Sequence, residues 1–171
     1  MTARLLSLVF TVSLLLGFAG CAHYRLGSAA PLTFASLYVE PVVVKALIPQ
    51  APAIFSSQTR DAFIRDGRVA VVNSAAEADA TLSIVVKSYE REVGTVRAGD
   101  TGLARKFIIT LRAEATLHDN RAGQDLFVRR PLVLQREVFT DSGQNQAEYQ
   151  LLPLLAQDLA DKLKHATLDV W

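Results

Sequence analysis

The chain has 171 residues, 50% of them apolar and 20% charged, with 18 Lys and Arg against 17 Asp and Glu, 3 His and 1 Cys. That is enough apolar material for a single compact domain of ordinary size. A balance of charge this close to zero argues against nucleic-acid binding, which calls for a marked basic excess, and a single cysteine excludes an internal disulfide.

The chain opens on a short basic start in which Arg4 is the only charge, then an apolar run from Leu5 to Phe18, then Ala19-Gly20-Cys21. The run is about a dozen residues long, the size of a secretory leader's core and short for a bilayer span. Phe18-Ala19-Gly20-Cys21 resembles a bacterial lipobox, with Phe18 where Leu is commonest. The resemblance implies that residues 1–20 are a lipoprotein signal peptide and that Cys21 becomes an acylated first residue. The alternative is an ordinary signal peptide cut near Ala19 or Gly20, which would leave a lone exposed thiol, a liability in an oxidising compartment. Ala22 rather than Asp after the cysteine points to the outer membrane. Each buried methylene is worth about 0.8 kcal/mol, and two or more chains hold a protein stably at a membrane. Without the leader the chain loses one Arg and no acid, leaving 17 basic against 17 acidic residues.

Residues 22–31 read as a small, irregular tether before Pro31, and residues 32–171 as one domain. Leu37 to Val44 is β-branched and aromatic and favours a strand, with Pro41 demanding a sheet edge or a bulge. Pro52 suits the first turn of a helix that puts Phe55, Thr59, Ala62 and Phe63 on one face, with Gly67 as its left-handed cap. A short strand is possible around Val69 to Val72. Ala80 to Val93 alternates with period two, Leu82, Ile84 and Val86 on one side.

Gly94 to Gly102, with three glycines, reads as a hairpin connection. Its partner strand, Ala104 to Leu117, turns Phe107, Ile109, Leu111, Ala113, Ala115 and Leu117 one way and Lys106, Thr110, Arg112, Glu114 and His118 the other. A second hairpin at His118 to Gln124 leads into a third long strand from Asp125 to Phe139. There Leu126, Val128, Leu132, Leu134 and Val138 form an apolar face, and Arg129 and Gln135 lie opposite. Gln146 to Thr167 is an amphipathic helix with Leu152, Leu155, Leu159 and Leu163 in a stripe, Pro153 either ending a first irregular turn or beginning the regular helix. Lys162, Lys164 and His165 suit the negative pole of its dipole. Three meandering strands with one apolar face, and helices to cover that face, define an α+β two-layer sandwich: a mostly antiparallel sheet of about four strands with two helices packed on one side.

A cysteine of lipobox type followed by Tyr24-Arg25-Leu26-Gly27 resembles the mature start of the LptE family of lipopolysaccharide-assembly lipoproteins. Leu37-Tyr38-Val39-Glu40-Pro41 is similar to that family's first strand, Phe63-Ile64-Arg65-Asp66-Gly67-Arg68 to the end of its first helix. Glu77-Ala78-Asp79-Ala80-Thr81-Leu82 is similar to the entry of its second long strand, and Leu152 to Ala160 to its final helix. The order of these segments covers nearly the whole mature chain. After the first strand Val43-Val44-Lys45-Ala46-Leu47 departs from the family's Asn-containing turn, leaving the first crossover open.

The resemblance implies a non-catalytic, periplasm-facing outer-membrane lipoprotein without cofactor or metal. It would plug the LptD β-barrel, help it assemble and help deliver lipopolysaccharide to the cell surface. Cations would then meet lipid A phosphates or core sugars. The candidates are Arg97, Arg105 and Lys106 at the first hairpin and Arg129 with Arg130 on the third long strand. The competing reading is that such cations only balance Glu90, Glu92, Glu114 and Glu137 across neighbouring strands. No nucleophile elbow, phosphate-cradling glycine loop or zinc spacing among His23, His118 and His165 marks an enzyme. The alternative function is an outer-membrane lipoprotein that docks on or activates a periplasmic enzyme or transporter. A tether of about ten residues, reaching about 35 Å when extended, favours a partner in the same membrane.

Overall fold

The structure is a computed structural model that describes residues 32–48, 50–95, 106–139 and 144–169, all within one compact unit. The leader, Cys21, the tether with Tyr24, and most of the first hairpin, including Arg97 and Arg105, lie outside the described residues.

Six strands form one mixed sheet: β1 (Ser36–Val39), β2 (Val43–Val44), β3 (Ala70–Val72), β4 (Ala80–Thr95), β5 (Lys106–Asp119) and β6 (Gln124–Phe139). Two helices, α1 (Ala51–Asp66) and α2 (Gln144–Leu168), cover one face, as expected of an α+β two-layer sandwich. The sheet is larger than the four strands that alternation reveals, because β2 and β3 are too short to show a period. The strand order is β3-β1-β4-β5-β6, and β2 also pairs with β4. β1 runs parallel to β3 and β4, and β2 runs parallel to β4, whereas β4, β5 and β6 form the antiparallel meander. The first crossover therefore runs from β2 through α1 to β3 at the sheet's edge.

Pro41 explains why β1 and β2 are separate. Val39 lies opposite Leu82 and Val43 opposite Val85, so four steps on one strand match three on β4, which is a bulge. Pro41 has no N–H to place in a ladder. The next donor, the Val42 N–H, leaves the sheet for the Ser56 hydroxyl of α1 at 2.9 Å. The β3 pairing ends at Tyr38 and β2 pairs with β4 alone, so Pro41 sits at a bulge and on an open edge together.

The helix α1 has Pro at its first turn and ends at Gly67, whose φ is 73°. Only glycine adopts that conformation cheaply. The Gly67 N–H reaches back to the Phe63 carbonyl at 3.2 Å. The buried face of α1 holds Phe55, Thr59, Ala62 and Phe63. In α2, Leu155, Leu159 and Leu163 are fully buried, and each such side chain contributes about 1.5–3 kcal/mol. Pro153 lies inside this helix, well into a continuous run, and not at its start. The N–H it lacks leaves the first turns of α2 one ladder bond short.

The sheet presents Leu82, Ile84, Val86, Ile109, Leu111, Ala113, Ala115 and Leu117 to the helices. On β6 the expected alternation fails in its first half. Leu132, Leu134 and Val138 are buried, but Leu126 and Val128 are 39% and 55% exposed. Ala115 pairs with Arg130, Leu117 with Phe127 and His118 with Asp125, so β6 holds one extra residue in each interval. Each extra residue shifts the parity, and Phe127 takes the core-side place that period two gives to its neighbours.

Candidate functional site

The three long strands end together in a tip. There Val93 lies opposite Phe107, Thr95 opposite Lys106, and Lys106 opposite Phe139. Gly94 sits so close that a Cβ on it would stand 3.2 Å from the Lys106 side chain. Arg91 lies 5.7 Å over the Phe107 ring, and Phe139 and Val93 are exposed.

Of the sequence-predicted cations, Lys106 belongs to this tip, and its Nζ lies 2.6 Å from Glu137 on the next strand. Lys87 with Glu114 and Arg112 with Glu90 repeat that cross-strand pattern at 3.3 and 3.5 Å on the helix-free face. Arg129 and Arg130 are not near Lys106. They stand towards the opposite end of β6, level with Thr116 and Ala115 on β5. At the rise of a strand, that separation along β5 puts them about 30 Å from Lys106. Arg130 faces the helix layer, stacks 4.4 Å over Phe127 and donates to the Ala166 carbonyl at the end of α2 at 2.8 Å. Arg129 is exposed, with a φ of 46°, and its N–H donates to the Thr116 hydroxyl at 3.1 Å.

The base of the sheet holds a polar knot that periodicity could not flag. Asp79 Oδ2 accepts the N–H groups of Ala35 and Ser36 at 2.8 and 3.1 Å, and the Asp79 N–H donates to the Ser36 hydroxyl at 2.8 Å. Asn120 donates its N–H to the Asp79 carbonyl and its side-chain amide to the carbonyls of Ala75 and Ala78. Arg121 closes the knot, 3.3 Å from Asp79 and donating to the Thr33 carbonyl at 2.8 Å. The two backbone donors hold the Asp79 carboxyl below its usual range.

A second cluster ties the ends of both helices. Arg68 meets Asp66 at 2.6 Å and Asp169 at 2.8 Å, and Asp169 also meets His165. Arg68 holds both carboxyls low, with His165 adding to the effect at Asp169, and the two acids raise the guanidinium in turn. Among the described residues no group of His, Cys, Asp and Glu could hold a metal, and no helix is long and apolar enough to cross a membrane.

The family described as LptE: Lipopolysaccharide-assembly matches residues 34–167, from just before β1 almost to the end of α2. The chain belongs to the LptE family. That family is a non-catalytic lipoprotein family of lipopolysaccharide-assembly type. Solved structures share the LptE-like fold at low identity. A lipoprotein B from Nitrosomonas europaea is 19% identical over 84% of this chain and 90% of that one, with a TM-score of 0.56. A minor lipoprotein from Acinetobacter baumannii is 18% identical over 81% and 96%, with a TM-score of 0.53. A DUF330 protein from Xanthomonas campestris is 17% identical over 83% and 88%, with a TM-score of 0.59. No curated protein matches in a direct sequence comparison.

Proposed function

We propose that this LptE-family protein is acylated at Cys21, faces the periplasm from the outer membrane, plugs an LptD-like β-barrel and assists its assembly and the delivery of lipopolysaccharide. The observation that carries this reading is the family match over residues 34–167, which begins shortly after the lipobox-like Phe18-Ala19-Gly20-Cys21. The work makes and breaks no bond. It asks for a stiff body with a projecting end. The strand β4 runs for 16 residues with bulges between Val86 and Ser88 and between Val93 and Thr95, a spine about 50 Å long at the rise of a strand.

Lipopolysaccharide contact belongs at the tip, where Lys106 stands beside the first hairpin that carries Arg97 and Arg105. The Lys106–Glu137 pair is partly exposed and so is weak enough to yield to a phosphate. Arg129 and Arg130 are too distant to share that site, and Arg130 is committed to α2.

The test is depletion of the protein followed by assay of barrel maturation and surface lipopolysaccharide. Loss of both is expected. Normal barrel and normal lipopolysaccharide would leave the docking partner of a periplasmic enzyme or transporter as the better reading. At the tip, neutralising Arg105 and Lys106 together is expected to weaken lipopolysaccharide binding in a folded domain, and unchanged binding would remove them from the site.

A further inference from the structure

The end of the domain opposite the tip carries a surface that the plug reading does not use. Two bulges in the first half of β6 turn Leu126 and Val128 outward, 39% and 55% exposed, on either side of Phe127. The second bulge holds Arg129 in the left-handed region, where a side chain with a Cβ is crowded by its own backbone. Arg129 is exposed, and its guanidinium has no partner among the described residues. Bulges do blunt an edge strand, but that purpose is served by charged residues and gives no reason to expose a Leu and a Val. An apolar pair beside a cation is the pattern of a surface that enters a lipid headgroup layer.

The chain's own path says which surface that is. The described part begins at Leu32, and Arg121 of the β5–β6 turn grips the Thr33 carbonyl. The entry of the tether is thus fastened to the turn that precedes Leu126. Only residues 22–31 separate that point from Cys21, a reach of about 35 Å at full extension.

We propose that the β5–β6 hairpin end is a second membrane contact. Leu126 and Val128 enter the headgroup boundary of the leaflet that holds the anchor, and Arg129 meets lipid phosphates there. The contact fixes the domain's orientation at the periplasmic mouth of the barrel, base at the leaflet and tip directed into the lumen. The proposal rests on acylation of Cys21, because a single apolar pair is too small to hold a protein at a membrane alone.

The experiment separates the two ideas. Mass spectrometry of the mature N-terminus reports the acyl group. The hairpin is tested on the full mature chain with Cys21→Ser, which removes the only cysteine, and with an N-terminal hexahistidine tag that holds the chain, in place of the acyl anchor, on vesicles carrying a nickel-chelating lipid. Val128→Cys or, as a control at the tip, Phe139→Cys is then labelled with an environment-sensitive fluorophore. The probe surface is a vesicle of phosphatidylethanolamine with a minority of phosphatidylglycerol at low salt.

A blue shift at position 128 and none at 139 is expected, with vesicle partitioning reduced about tenfold by Leu126→Asn with Val128→Asn, and several-fold by Arg129→Gln. Equal shifts at both positions, or none at either, would overturn the proposal. So would partitioning that both variants leave intact while circular dichroism shows them folded. A shift at 128 without vesicles, rising with protein concentration, would assign the patch to a second copy of the chain instead.

Discussion

Ser36 and Asp79 hold each other reciprocally: the Ser36 N–H donates to the Asp79 carboxylate at 3.1 Å, and the Asp79 N–H donates to the Ser36 hydroxyl at 2.8 Å. The pair joins the start of β1 to the residue before β4, strands that pair in parallel and so have no turn of their own to set their register. Asp79→Ala is expected to destabilise the fold measurably, and Ser36→Ala to do so less. A double-mutant cycle in urea should give a coupling well outside error. Additive losses would mean that the two residues act separately.

Acid should weaken the same joints. Asp66, Asp79 and Asp169 all have carboxyls held below the usual aspartate range, the first and last mainly by Arg68 and Asp79 by the Ala35 and Ser36 donors. A carboxyl with a lowered folded pKa binds fewer protons folded than unfolded, so its contribution is complete above the unfolded value. It is lost as pH falls through the folded one. Urea midpoints should therefore be flat near neutrality and fall below about pH 4. Arg68→Met should flatten the part of that fall due to Asp66 and Asp169. A fall as steep as in the unaltered protein would refute the assignment.

How much could be read in advance depends on what sets each feature. The meander and both helices were legible because period two and period 3.6 are properties of the chain itself, and the α1 face of Phe55, Thr59, Ala62 and Phe63 followed directly. The β6 face did not, since a bulge is decided by pairing with β5 and leaves the run Leu126-Phe127-Val128 looking regular. Likewise β2 and β3 exist only through their neighbours. The base knot escaped because Ser36, Asp79 and Asn120 lie far apart in sequence. Of the candidate cations, Lys106 stood where alternation put it, and so did Arg130, which shares the parity of the buried Leu132 and Leu134 and therefore faces α2.

Thr59 offers a test of core satisfaction. It is completely buried on α1, and its hydroxyl has no hydrogen-bond partner among the described residues. An unpaired buried hydroxyl carries a desolvation cost that a methyl of similar shape avoids. Thr59→Val is expected to stabilise the domain by about 1 kcal/mol, seen as a higher urea midpoint at unchanged m-value. A loss of stability would show that the hydroxyl is satisfied in solution.

Three cations tie α2 along the sheet's outermost strand in regular steps. Arg130 donates to the Ala166 carbonyl, Lys162 to the Val133 carbonyl at 2.7 Å, and Arg136 makes a bidentate pair with Asp158 at 2.6 and 2.7 Å. Each advance of three residues on β6 meets a retreat of four on α2. Because β6 ends the sheet, the carbonyl that Lys162 covers is one that a foreign strand would seek, and Pro131 beside it offers no N–H. Arg60 does the same at the other edge, donating to the Val72 carbonyl of β3 at 2.9 Å. Lys162→Met keeps most of the stem but uncovers the edge. It is expected to cost no more than about 1 kcal/mol of stability, since the side chain is exposed, yet to raise self-association at high concentration. Arg136→Met should lower stability by a similar amount without that association, because its partner is a side chain and not the edge backbone. Sedimentation velocity distinguishes the two, and a Lys162→Met protein that stays monomeric would show that Pro131 and the bulges guard the edge alone.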